Sequence, residues 1–124
     1  MIQEAYVSFE VAKLLKEKGF KEITQGYINA DQEVYMLPFQ QGVYELSNKQ
    51  YPYPTHQMVV AWLREEYEIS IEISALKLHR WVYTIYRLFE ERVVEVWNDG
   101  TYVSYEDATD GALKYCLENL NKLT

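Results

Sequence analysis

One cysteine, two histidines, three prolines and five glycines are all that 124 residues hold of the residue types that staple, ligate or break a chain. Cys116, being single, closes no internal disulfide, and no Asn-x-Ser/Thr sequon occurs, so the chain fits a reducing compartment. His56 and His79 stand 23 residues apart without the Cys or second His that a zinc site draws on, and no metal is expected. The few glycines form no Gly-rich loop ahead of a helix, so a phosphate cradle is missing as well. Positive charge is also scarce: 12 Lys plus Arg face 19 Asp plus Glu, a formal net charge of −7 that repels phosphate. Direct nucleic-acid binding and attachment to an anionic membrane are therefore not expected. No run approaches the roughly 20 apolar residues that span a bilayer. The start of the chain, with Gln3 and Glu4, lacks the basic and apolar parts of a secretory signal, so the expected location is the cytoplasm.

Against these shortages stand a hydrophobic fraction of 48% and an aromatic fraction of 15%, twelve of the aromatics being tyrosine. That much apolar area suffices for one core without metal or disulfide, and residues 1–124 read as a single domain. Tyrosine keeps a polar tip that wants a partner or water, so a wet aromatic surface is expected.

Ser8 ahead of Phe9, Val11, Ala12, Leu14 and Leu15, with Gly19 as terminator, predicts a short amphipathic helix. Residues 33–37 and 42–46 have strand composition and flank Pro38, which predicts a loose hairpin. The run from Ser47 to Pro54 must be extended or turning, because a residue before proline avoids the helical region. Thr55 then opens a helix over 55–67, with Met58, Val59, Trp62 and Leu63 on one face. Ile69, Ile71 and Ile73 alternate with Ser70, Glu72 and Ser74, the period of a half-buried strand. Residues 79–89 are β-branched and aromatic on both alternating sets, as in a central strand. Glu90 and Glu91 mark its turn, Val93 to Trp97 make a third strand, and Asn98-Asp99-Gly100 predicts a tight turn before Thr101. Ser104 and Asp107 form an approximate capping box for a last helix reaching about Leu120. In that helix Gly111 points to close packing, and Ala112, Leu113, Cys116 and Leu117 lie on its apolar stripe. The expected fold is α+β, an antiparallel sheet with helices packed on it, in the order α-(ββ)-α-β-β-β-α.

No nucleophile with a base, acid pair at working spacing or ligand cage emerges, so the expectation is a binding protein without cofactor rather than an enzyme. Glu106 and Asp110, at i and i+4, read as a solvated helix face favoured by the helix dipole more readily than as a cation site. Cys116, on the apolar stripe, reads as a buried and inert thiol. Two surfaces stand out. Tyr51, Tyr53 and His56 surround Pro52 and Pro54 where a loop enters a helix, either as a recognition surface or as packing. On the central strand, parity leaves two sets open, Trp81, Tyr83, Ile85 and Arg87 or Val82, Thr84, Tyr86 and Leu88. One set joins Ser70, Glu72 and either Trp97 or Glu95 on the face away from the isoleucines. The Trp81, Tyr83, Arg87 and Trp97 group has the composition of an interface anchor.

From Thr55 to Leu120 the order of helix, three antiparallel strands and helix is similar to that of double-stranded-RNA-binding domains, and the last helix shares their apolar spacing. Where that family holds phosphates with lysines, this chain has Glu106, Asp107 and Asp110, so the resemblance implies a fold and carries over no RNA contact. Tyr53-Pro54-Thr55-His56-Gln57, Trp62-Leu63-Arg64-Glu65 and Ser104-Tyr105-Glu106-Asp107-Ala108, within residues 51–120, more closely resemble small uncharacterised proteins of phages and mobile elements of gut bacteria. That resemblance implies a setting, a phage-borne accessory protein, and no catalytic residue. The expected partner is then a host or phage protein, with basic partners favoured by charge, or a second copy of the chain. The alternative is an oligomer that binds or sequesters a nucleotide-like ligand, with Tyr, Trp and Arg87 stacking on it.

Overall fold

The computed structural model describes residues 4–22, 24–41, 46–77, 79–88 and 92–123, of which 37–41, 77, 92 and 94–101 are described for their backbone. The chain forms two compact units, Met1–Thr55 and His56–Thr124. Among the described residues the first combines one helix and the second three helices with an antiparallel three-stranded sheet, so the class is α+β.

In the first unit α1 spans Phe9–Glu17. Its start is set by Ser8, extended at φ −70° and ψ 165°, whose hydroxyl accepts from the Val11 N–H at 3.2 Å. Its end is a left-handed glycine cap. Gly19 takes φ +84°, the Gly19 N–H donates to the Lys16 carbonyl and the Phe20 N–H to the Leu15 carbonyl, which closes the last turn. Phe20 is buried beside the helix's own buried stripe of Val11, Ala12 and Leu15.

The sheet of this unit departs from the expected hairpin. Strand β2, Val34–Gln41, pairs with β1, Thr24–Asn29, while residues 42–45 of the expected partner strand lie outside the described residues. Asn29 explains the reversal. Its Oδ1 accepts from the Asp31 and Glu33 N–H groups at 3.0 and 2.9 Å, and Gln32 at φ 64° turns the chain, a short Asx-type connection with no Gly-Pro signature. Pro38 is therefore inside a strand rather than between two. An edge strand admits it, because a residue without an N–H there need cost no ladder bond. On the other side of β1 lies β3, Gln50–Pro52, completing the order β2-β1-β3. The Ala30 N–H donates to the Lys49 carbonyl, which makes Ile28 and Tyr51 a bonded pair and leaves Pro52, opposite Tyr27, at a position where no N–H is needed.

In the second unit α2, His56–Tyr67, runs into β4, Ile69–Lys77, through Glu68 at φ 59°. Strand β5, Arg80–Arg87, is central between β4 and β6, Arg92–Tyr102, as its doubly apolar sequence predicted. The tight turn expected at Asn98-Asp99-Gly100 does not reverse the chain. Strand β6 continues through it, and the surplus length is taken up against β5, where the step from Trp81 to Tyr83 faces the longer step from Tyr102 back to Trp97. Turn-forming residues in a strand commonly mark such an irregularity, which bends the ladder without ending it. The turn expected at Glu90 and Glu91 lies outside the described residues. Helix α3, Tyr105–Glu118, starts on Ser104, whose hydroxyl accepts from the Asp107 N–H at 3.0 Å, and a short α4, Leu120–Leu123, follows. Helices α2 and α3 pack on the sheet, with Val59, Leu63, Ala112, Leu113 and Leu117 against Ile69 and Ile85, every one of them 0% exposed.

Candidate functional site

Cross-strand register decides which face of the second sheet is covered. Ile69, Ile71 and Ile73 stand opposite Arg87, Ile85 and Tyr83, so the isoleucine set and the odd-numbered set of β5 share the face under the helices. Tyr83 is 2% exposed there, its ring tilted against Tyr102 at 6.2 Å. Trp81 meets Tyr105 of α3 edge-on at 5.6 Å. Arg87 donates from Nη1 to the Leu123 carbonyl at the end of α4, where a cation is favoured by the helix dipole, and its Nε is buried without a hydrogen-bond partner. Trp97 stands opposite Tyr83 in the ladder, and its side chain lies outside the described residues. The interface anchor expected from Trp81, Tyr83 and Arg87 is therefore placed on the helix-covered face, where Tyr83 has little surface to offer.

The opposite face carries Ser70, Glu72 and Ser74 from β4 against Tyr86, Thr84 and Val82 from β5, each pair directly opposed. Glu72 is its polar centre. Its Oε2 accepts from the Tyr86 hydroxyl at 3.2 Å and its Oε1 from the Ser74 hydroxyl at 3.5 Å. These donors aim the carboxylate while leaving it exposed. The Tyr86 phenol is raised above its ordinary pKa, first by desolvation and then by the charge and hydrogen bond of Glu72. Around this polar centre the apolar surface is open, with Val93, opposite Tyr86, 48% exposed and Leu88 42% exposed.

Tyr51 and Tyr53 divide between separate packing partners in the first unit. Phe9 of α1 meets the Tyr51 ring edge-on at 5.4 Å, and Lys16 Nζ lies 5.0 Å from that ring's centre. Lys16 also donates to the Gln50 carbonyl at 2.7 Å and to the Ser47 carbonyl, and desolvation lowers its pKa. Tyr53 stacks on Tyr6 with centroids 4.8 Å apart and planes 5° from parallel. Its phenol is raised in pKa by burial first and by Tyr6 second. Pro52 and Pro54 are fully buried. His56, 5% exposed in the second unit, has Nε2 3.0 Å from Asp110 Oδ1, tying the start of α2 to α3. The sequence offered no sign of that bond, since its partners lie 54 positions apart. It also occupies Asp110, which had shared a helix face with Glu106. Cys116 is buried, and burial pushes its thiol up to about 12.

Among the described residues no group of three or more His, Cys, Asp or Glu side chains is placed to hold a metal, and no helix is long and apolar enough to cross a membrane. Comparison with family models, curated proteins and solved structures returns no match.

Proposed function

We propose that this is a small acidic interaction protein without catalytic activity, which binds a basic host or phage protein through the Glu72 face of the second sheet. One observation carries the reading: an exposed carboxylate held by Tyr86 and Ser74 on a surface bordered by the exposed Leu88 and Val93. A lysine or arginine suits such a surface, because its stem covers apolar area while its head pairs with a carboxylate already held in place. The net charge of −7 acts in the same direction by steering basic partners to the chain. The likeness of residues 51–120 to small phage and mobile-element proteins supports an accessory role in that setting.

The test is capture by the tagged full chain from nuclease-treated bacterial extract, with proteins and small molecules in the eluate both identified. A stoichiometric basic protein is expected, retained in low salt and released as ionic strength rises. Glu72→Lys should weaken its binding by at least about tenfold, as expected when like charges replace an interfacial pair, while Lys18→Ala, just past the end of α1, leaves it unchanged. A retained nucleotide, or a protein bound equally well by Glu72→Lys, would overturn the reading.

A further inference from the structure

The first unit has a second surface of a different kind, the edge of β2 away from β1, which no strand among the described residues covers. Its sequence, Val-Tyr-Met-Leu-Pro-Phe-Gln-Gln, has no charged residue in eight positions. Edge strands are ordinarily guarded by a charge, a proline, a bulge or a covering element, because their unpaired N–H and C=O groups invite another strand; in β2 the proline and the register shift both fall beyond Met36, so residues 34–36 carry no charge, proline or bulge. Here Val34, Tyr35 and Met36 are 43%, 43% and 47% exposed in succession, so this stretch is open on both faces of the sheet.

Which main-chain groups point outward follows from the ladder. The Asn29 N–H donates to the Glu33 carbonyl at 3.0 Å, which makes Asn29 and Glu33 a bonded pair and, two residues on, Tyr27 and Tyr35 another. Val34 and Met36, opposite Ile28 and Gly26, are then the non-bonded positions, and their N–H and C=O groups face away from β1.

We propose that this edge pairs with the same edge of a second copy, antiparallel, about a two-fold axis passing beside Tyr35. In that register Val34 and Met36 exchange main-chain hydrogen bonds with Met36 and Val34 of the second copy, so each outward donor meets an outward acceptor. Apolar side chains meet across the junction on one face of the sheet. On the other, Tyr35 meets its own copy and prolongs the stack it already makes with Tyr27, whose centroid lies 5.2 Å away. The ladder is bounded at both ends: Gln32 at φ 64° leaves the strand conformation, and Pro38 has no N–H to extend it. A foreign strand would satisfy the same backbone. The second copy is favoured because this short segment is complementary to itself in hydrogen-bond parity and in apolar pairing, the requirement of an isologous contact. An interface of this length makes a weak dimer, dependent on concentration.

Sedimentation equilibrium of the full chain tests it. The weight-average mass should rise from the 14.8 kDa monomer toward twice that value with concentration. Met36→Pro deletes an outward N–H while sparing the bonds to β1, and Met36→Lys puts a charge on the edge. Both should stay monomeric, the lysine variant deciding the matter if the proline variant misfolds. Tyr35→Cys should oxidise to a disulfide-linked dimer, since non-bonded partners have Cα atoms about 4.5 Å apart, within disulfide range. Glu33→Cys, at the turn, should not. A wild-type chain that stays monomeric to about 1 mM, far above the concentrations of even weak biological pairs, would overturn the proposal. So would a dimer that survives both Met36 substitutions.

Discussion

At the scale of single residues, one constrained position has no side chain. A Cβ on Gly111 would fall inside contact distance of the Tyr102 hydroxyl and 2.9 Å from Cε1 of the same ring. Alanine would raise helix propensity by about 1 kcal/mol, yet the ring would have to leave its seat on α3. We expect Gly111→Ala to destabilise the protein by about 1–3 kcal/mol, the usual range for overpacking, read as a fall in the thermal midpoint. Tyr102→Ala combined with Gly111→Ala should then cost less than the two separate losses together. Cys116 makes a prediction about pH. Its folded pKa of about 12 exceeds the ordinary 9.0, so the native state holds the thiol proton more tightly than the unfolded chain does. The corresponding stability is fully present below about pH 9 and drains away as pH rises toward 12, by about 1.4 kcal/mol per unit at most. Denaturant titrations between pH 9 and 10 should show this slope, and Cys116→Ala should reduce it, leaving the smaller contribution of the raised Tyr53 and Tyr86 phenols. The native thiol should also resist alkylation at pH 8 until the chain is unfolded.

At the scale of elements, the helices and the second sheet were legible because their signals are local. Ser8 and Ser104 cap the helices they precede, Gly19 ends the one it follows, and the alternation from Ile69 to Ser74 names its strand. In the first sheet residues 34–37 of an expected strand fall in β2, while β1 escaped notice for an equally local reason. Thr-Gln-Gly-Tyr-Ile-Asn is polar at its ends and broken by glycine, so β1 has little strand character of its own and exists through its two neighbours. Gly26 shows the dependence. A Cβ there would fall on the Tyr35 carbonyl and lie 3.1 Å from the Met36 Cα, both backbone atoms of β2 at a register irregularity. Gly26→Ala should therefore loosen the β1–β2 hairpin specifically, with faster amide exchange at Tyr27 and Tyr35 and unchanged protection in β5. Uniform destabilisation of both sheets would contradict this account. In β6 the residues of a turn were present, but the pairing of Trp81 with Tyr102 continued the strand past them.

At the scale of the whole molecule, two units share one acidic chain, and the charge sets how it meets others. If the Glu72 face binds a basic partner, association should slow steeply between 50 and 300 mM salt while dissociation changes little, because steering is long-range and screened within about 10 Å at 0.1 M. Edge pairing through β2, carried by main-chain bonds and apolar side chains, should respond weakly to the same salt, so the two associations can be told apart in one protein. By itself the sequence determined the α+β class, the helix caps, the centrality of β5 and the pair of alternating residue sets on it. These follow from the propensity and period of neighbouring residues. Which set faces the helices was beyond it, since a strand with apolar residues on both sides reads the same in either register. Only the tertiary structure decided that Tyr83 is buried, that Tyr86 reaches Glu72, and that His56 finds Asp110. Each of these pairings is fixed by strand register or helix packing between segments distant in the chain, and a side chain's partner is a property of the fold.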